Sequence, residues 1–169
     1  MKLTTFCYIL PAFVWISYVD SSYANNNICT GQNENIECLK MHFEELTKYN
    51  NKLYSKILRD SASRANECVS IIDVAGFIGL ANINVKNFNA EFNEYYGEVV
   101  ENMVISKTLC FFDALLLLDD KTLKNAIYSL KHPLFVNEKQ ITDKFKNYKT
   151  NKKYSKIINL YFSNYYSVK

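Results

Sequence analysis

Glycine and proline are scarce in this 169-residue chain, which contains four glycines and two prolines. Both residues mark the tight turns between short β-strands, so their scarcity argues against a protein built from many strands and hairpins. Apolar residues instead recur at helical spacing, and the first stripe comprises Ile36, Leu39, Phe43, Leu46, Leu53 and Ile57. The pattern predicts an all-α fold around one hydrophobic core.

Further apolar stripes continue this helical pattern to the end of the chain. They comprise Cys68, Ile72 and Ala75; then a longer stripe of Phe88, Phe92, Tyr96, Val99, Met103, Cys110, Ala114 and Leu117; then Leu123, Ile127 and Leu130; and finally Ile141, Phe145 and Tyr148, and Ile157, Tyr161 and Tyr165. Asn35, Asn89 and either Asp119 or Asp120 are candidate helix N-caps. The helix that carries Leu130 is expected to end before Pro133.

Catalytic groups are as scarce as turn residues. Beyond residue 24 the chain has only His42 and His132, no glycine-rich phosphate loop and no Gly-x-Ser-x-Gly turn. Glu94, Glu98 and Glu101 share one helical face and could form an acid pair, but such a stripe is more typical of a solvated helix surface. We therefore predict a protein that is not an enzyme, with no catalytic residues, no cofactor and no metal.

The first 24 residues have the pattern of a secretory signal peptide. Lys2 supplies the positive charge, residues 3–19 are almost entirely apolar, and Ser22-Tyr23-Ala24 places small residues at the cleavage site. The apolar run is shorter than the ~20 residues of a membrane-spanning helix. We predict cleavage after Ala24, which divides the chain into a signal peptide (1–24) and a single helical domain (25–169) that is secreted and spans no membrane.

Secretion would expose an even number of cysteines to an oxidising compartment, because Cys7 leaves with the signal peptide. The remaining four are Cys29, Cys38, Cys68 and Cys110. Four cysteines allow three disulfide connectivities, and their spacing alone does not choose among them. Zinc is the competing interpretation, but no CxxC or HxxxH spacing accompanies these cysteines.

Charge is distributed unevenly along the chain. Residues 137–169 carry a net charge of +6, whereas residues 25–136 carry a net charge of −3. The basic tail is the lysine-rich set Lys144, Lys146, Lys149, Lys152, Lys153 and Lys156, which is interleaved with tyrosines. Such a set can bind an anionic polymer such as an acidic polysaccharide, although a solvated helix face with inward tyrosines is the more ordinary interpretation.

The cysteine spacing carries a family resemblance. Eight residues separate Cys29 from Cys38 and forty-one separate Cys68 from Cys110; Val-Ser-Ile-Ile-Asp-Val-Ala follows Cys68, and Asn151-Lys152-Lys153-Tyr154 precedes a last amphipathic helix. This set resembles the plant invertase inhibitor and pectin methylesterase inhibitor family. The chain departs from that family in a shorter interval between Cys38 and Cys68, a longer interval after Cys110, and few alanines.

The resemblance implies a secreted four-helix bundle with an N-terminal helical extension. We expect no nucleic-acid partner. The resemblance also implies that the disulfides join Cys29 to Cys38 and Cys68 to Cys110. The implied function is inhibition of a cell-wall enzyme in the apoplast, with steric docking over the substrate cleft of the target. Invertase inhibitors in the family carry a Pro-Lys-Phe motif between the third and fourth cysteines. The motif is missing here, so pectin methylesterase is the more expected target and invertase the less expected one.

Two other functions fit the same sequence. A helical carrier of small apolar ligands would use the aromatic residues to line a pocket, in particular Phe88, Phe92, Phe111 and Phe112. A binder of an anionic polymer or surface, including pectin itself or a membrane surface, would use the basic tail. The contact residues for any target and the oligomeric state do not follow from the sequence.

Overall fold

The computed structural model describes residues 28–163 apart from residues 30, 32–33 and 87–89, and it is helical throughout. No strand occurs within these described ranges. The ten α-helices are α1 (Ile36–Met41), α2 (Phe43–Tyr49), α3 (Asn51–Glu67), α4 (Ile71–Ile78), α5 (Ala81–Lys86), α6 (Ala90–Ser106), α7 (Thr108–Leu115), α8 (Asp120–Lys131), α9 (Glu138–Asn147) and α10 (Ser155–Phe162); a 3-10 turn, Lys152–Tyr154, precedes α10. The all-α prediction is confirmed.

Four helices pack against one another in a ring, which we call the central ring. Helix α3 packs against α4 and α6, and α7 packs against the same two helices. This ring is the four-helix-bundle-like element that the fold prediction expected. Helices α1 and α2 pack on α3 as the N-terminal extension, while α8, α9 and α10 pack on one another beside α5 and α6.

The two disulfides join Cys29 to Cys38 and Cys68 to Cys110, as the family resemblance implied. The Cα atoms of the pairs lie 5.7 Å and 6.4 Å apart, within the normal range for disulfides. The first bridge ties the N-terminal segment to α1. The second ties the end of α3 to α7 across the central ring, so it connects elements that are distant in the sequence.

Polar side chains begin the helices at the positions that the sequence suggested. The Oδ1 atom of Asn35 accepts a hydrogen bond from the backbone N–H of Cys38 at 3.0 Å, and Asp119 accepts from the backbone N–H groups of Lys121 and Thr122. These contacts satisfy N–H groups that a helix leaves without an internal partner. Helix α8 ends at Lys131, two residues before Pro133, also as predicted.

Two predicted stripes are divided into shorter helices. The first is interrupted at His42 and Asn50, and the long stripe is interrupted at Lys107, between α6 and α7. At the second interruption the hydroxyls of Ser106 and Thr108 donate to carbonyls four residues earlier, each at 2.7 Å. Such bonds bend helices, and apolar periodicity does not register them.

The core stripe of Cys68, Ile72 and Ala75 is wrong at one position, because Ile72 is 76% exposed. Cys68 lies outside any helix with a left-handed φ of 55°, so it does not set the rotation of the helix that follows. Helix α4 begins after its cap Ser70, and its buried face carries Val74, Phe77 and Ile78. The predicted signal peptide (residues 1–24), Phe88, Asn89 and Tyr165 lie outside the described residues.

A cluster of aromatic rings joins the central ring of helices to the C-terminal helices. Phe112 on α7 is fully buried, and its ring centre lies 5.0 Å from that of Phe145, 5.2 Å from that of Tyr148 and 5.3 Å from that of Tyr154. Aromatic pairs at these separations stabilise a fold beyond their simple burial. The cluster therefore makes Phe112 a central packing residue of the molecule.

Two buried tyrosines predict a loss of stability at alkaline pH. Burial and the nearby Glu91 raise the pKa of Tyr54 to about 12, and burial raises the pKa of Tyr96, whose hydroxyl donates to the carbonyl of Ile78 at 3.0 Å. In the unfolded chain both phenols ionise near pH 10. Their contribution to stability is therefore complete below about pH 10 and is lost as the pH rises toward the folded pKa values.

An ultraviolet absorbance titration followed beside circular dichroism would check this prediction. We expect ionisation of Tyr54 to be delayed to about pH 12 or to coincide with unfolding. The Tyr54→Phe variant should lose that delayed phase. Complete ionisation of all tyrosines near pH 10 in a protein that is still folded would contradict the prediction.

Candidate interaction surface

The acidic face of α6 is not uniformly solvated. Glu94 and Glu98 are exposed, as a surface stripe would be, but Glu101 is only 3% exposed. The prediction of a solvated stripe is therefore wrong for Glu101. It fails because a long-range contact with a loop 33 to 35 residues later buries this carboxylate, which no local pattern reveals.

That loop is residues 133–136, which we call the Glu101-held loop. The Oε1 atom of Glu101 accepts the backbone N–H of Leu134 at 2.8 Å, and its Oε2 atom accepts those of Phe135 at 2.8 Å and Val136 at 2.9 Å. A carboxylate that accepts several N–H groups forms strong, charge-assisted hydrogen bonds. One buried side chain therefore fixes three consecutive backbone groups between α8 and α9.

The Glu101-held loop carries large apolar side chains on its outer side. Leu134 is 72% exposed and Phe135 is 47% exposed. The ring of Phe135 lies against Gly97 of α6: a Cβ atom built at residue 97 would be 3.4 Å from the ring. Phe135 therefore packs on α6 through one side of its ring, while the side chain stays 47% exposed.

The basic tail is placed at the end of α9 and across the 3-10 turn into α10, and two of its lysines are engaged by other helices. Lys153 pairs with Asp113 of α7, and Lys156 pairs with Asp120 of α8 at 2.6 Å. Lys146 lies 3.9 Å from Asp143. The sequence showed no acid beside Lys153 and Lys156, because their partners Asp113 and Asp120 lie 40 and 36 residues earlier in the chain.

The remaining lysines of the tail are Lys144, Lys149 and Lys152, of which Lys149 lies 6.0 Å from the ring centre of Phe162. This distance is at the outer limit of a cation–π contact. The folded tail thus presents fewer uncompensated charges on its surface than its sequence suggests.

Asp113 is the centre of a small polar cluster on α7. Its carboxylate accepts a hydrogen bond from the hydroxyl of Tyr154 at 2.7 Å and also pairs with Lys153. Partial burial by itself would raise the pKa of Asp113, but the bonds from Lys153 and Tyr154 outweigh it and hold the pKa below its ordinary value. The cluster anchors the 3-10 turn to the central ring, which is a structural role.

The aromatic residues considered for ligand binding fill the core. Phe92, Phe111 and Phe112 are all buried, and Phe88 lies outside the described residues. A cleft of about 450 Å³ lies beside α1 and α2 and is lined by charged and apolar side chains that include Lys40, His42, Met41, Glu44 and Glu45. A carrier of apolar ligands needs a mostly apolar, enclosing pocket, which this open and charged cleft is not.

Histidine, cysteine and carboxylate side chains do not assemble into a metal site in the part of the chain that the structure describes. His42 contacts Glu45 at 3.5 Å, and His132 stacks edge-on against Tyr128. Within the same described ranges, no helix combines the length and the apolar character that crossing a membrane requires.

The Glu101-held loop is the surface feature that the sequence analysis missed. Its sequence signal is Pro133-Leu134-Phe135-Val136, an apolar run in a segment that follows a predicted helix end. Such a run is unusual for a solvent-exposed connection and could have been noticed. Its contact with Glu101 has no comparable local signal.

Comparisons with known proteins add no relative. No protein-family model, no curated protein and no solved structure matches the chain at a significant level. The family resemblance drawn from the cysteine spacing therefore stays a prediction.

Proposed function

We propose that the chain is a secreted proteinaceous inhibitor of a pectin methylesterase. In this proposal the rigid helical scaffold covers the substrate cleft of the enzyme, and no residue of the inhibitor reacts. The observation that carries the proposal is the disulfide connectivity, Cys29 with Cys38 and Cys68 with Cys110, within an all-α fold that contains a ring of four helices. That combination is what the resemblance to the inhibitor family leads one to expect.

Secretion is part of the proposal. The disulfides are compatible with folding in an oxidising compartment, and the N-terminal pattern of residues 1–24 predicts export. An inhibitor of a pectin-modifying enzyme would act in the apoplast or the cell wall. Cross-links also suit such a protein, since a preorganised surface loses less conformational entropy when it docks.

Pectin methylesterase is favoured over invertase because the Pro-Lys-Phe motif of the invertase inhibitors is missing between Cys68 and Cys110. The two other functions have less support. Phe111 and Phe112 are fully buried in the core, which leaves them no surface for a ligand, and the ion pairs of Lys153 and Lys156 reduce the charge available to an anionic polymer.

The proposal predicts that the protein, expressed as the full chain and purified from the medium, slows a pectin methylesterase more strongly than an invertase. Initial rates of both enzymes at mildly acidic pH, measured against increasing inhibitor, are the direct test. The reduced and alkylated protein is the control, and it should inhibit weakly because its scaffold is no longer cross-linked. Full activity of both enzymes in an excess of the oxidised protein would contradict the proposal.

A further inference from the structure

The Glu101-held loop, residues 133–136, places two adjacent large apolar side chains in water. Leu134 and Phe135 are 72% and 47% exposed, although single exposed apolar residues are ordinary on protein surfaces. What distinguishes this pair is that the backbone beneath it is fixed by hydrogen bonds, with Leu134 largely in solvent and Phe135 packed on Gly97 through one side of its ring. The three N–H groups of residues 134–136 all end on the buried carboxylate of Glu101.

Both ends of the loop are fixed as well. Pro133 restricts the backbone at the entry, and α9 begins at the exit with a capping box in which Asn137 and Gln140 satisfy each other's backbone N–H groups. Burying a carboxylate costs free energy. Here three charge-assisted hydrogen bonds from the loop offset that cost, and the same bonds hold the loop in place. A loop that is ordered before binding loses little conformational entropy on binding.

The charges around the loop favour a particular kind of partner. Glu94 and Glu98 are exposed on one face of α6, three residues before and one residue after Gly97, the residue against which the ring of Phe135 rests. The nearest lysines of the flanking helices are engaged elsewhere: Lys131 donates to the carbonyl of Ser163 at 2.6 Å, and Lys139 pairs with Asp143 at 2.6 Å. Two exposed carboxylates therefore lie on the same helix that the ring of Phe135 contacts.

We infer that residues 133–136 are the loop by which this protein binds its target enzyme, with Leu134 and Phe135 entering an apolar pocket that is rimmed by lysine or arginine. This inference rests on the proposed function and adds the contact residues to it. A desolvated aliphatic and aromatic pair supplies the affinity, as the central residues of protein interfaces do. Glu94 and Glu98 supply charge complementarity, which acts mainly on the association rate.

The test is the inhibition constant of the double variant Leu134→Ala/Phe135→Ala against pectin methylesterase. We expect inhibition to weaken on the order of 100-fold, as for the loss of two central interface residues. Ile72→Ala is the matched control, since Ile72 is a 76% exposed aliphatic residue that belongs to α4 and not to the loop, and the inhibition constant of this variant should stay within about threefold of the wild type. The single variant Leu134→Gln removes one apolar contact at a mostly solvated position, where a substitution leaves the fold intact. It therefore tests the contact even if the double variant fails to fold.

The Glu101→Gln variant tests the order of the loop separately from its side-chain contacts. It keeps Leu134 and Phe135 but weakens the hydrogen bonds that hold the backbone beneath them. We expect faster amide hydrogen exchange at residues 134–136 and inhibition weakened about tenfold, since the loop must then be ordered during binding. Replacing Glu94 and Glu98 with glutamine should slow association and reduce its dependence on salt.

The outcomes separate the inference from the proposed function. If the wild type inhibits and the folded Leu134→Ala/Phe135→Ala variant inhibits equally well, the loop is not the contact and only the inference is overturned. If the wild type inhibits no pectin methylesterase, the proposed function and the inference fail together. Selective loss in the loop variants, with Ile72→Ala unaffected, supports both.

Discussion

Replacing Phe112 with alanine is expected to lower the free energy of unfolding by about 3–5 kcal/mol. Its ring is fully buried and contacts the rings of Phe145, Tyr148 and Tyr154. Truncation removes the transfer free energy of the ring and leaves a cavity where the central ring of helices meets α9 and the 3-10 turn. Because surrounding helices relax only in part, the cavity adds to the loss.

Urea unfolding followed by circular dichroism measures this difference directly. Leu109→Ala is the control on the same helix, since Leu109 is 55% exposed and its truncation should change stability by less than about 0.5 kcal/mol. A Phe112→Ala variant as stable as Leu109→Ala would show that the aromatic cluster does not join the two parts of the fold.

Removal of the Cys68–Cys110 disulfide has the second large expected effect. The bridge closes a loop with a sequence separation of 42, and chain entropy assigns about 4 kcal/mol to a cross-link of that length. The Cys68→Ala/Cys110→Ala variant should therefore unfold at a markedly lower urea concentration. The bridge also holds the end of α3 against α7, so the loss includes order in the central ring.

The Cys29→Ala/Cys38→Ala variant is the internal comparison, because the sequence separation of its disulfide is only 9. The same relation assigns this bridge about 2.7 kcal/mol. We expect the two variants to rank in that order in urea. A smaller loss on removing the long-range bridge would mean that the unfolded chain is already constrained between Cys68 and Cys110.

The parts of the fold that could be predicted are those that depend on local patterns. Helix content follows from apolar spacing and from the scarcity of glycine and proline, and the caps Asn35 and Asp119 follow from the preference of their side chains for free N–H groups. The disulfide pairing is different, because spacing allowed three connectivities and only the family resemblance selected one.

The parts that could not be predicted depend on contacts between distant residues. Glu101 looked like one member of a surface stripe until the loop at residues 134–136 covered it. Lys153 and Lys156 have no acidic neighbour in the local sequence. In the fold, the packing of α7 and α8 places Asp113 beside Lys153 and Asp120 beside Lys156. Local sequence predicts which face of a helix is apolar and which is polar, but it does not predict which distant segment packs on that face.

Co-elution with a pectin methylesterase on size-exclusion chromatography, with activity assayed across the fractions, tests the central claim most directly. A steric inhibitor should shift the enzyme to an earlier peak that contains both proteins and lacks esterase activity, and both chains should be recovered chemically unchanged. Separate elution of the two proteins, with the esterase fully active in its own peak, would contradict the account.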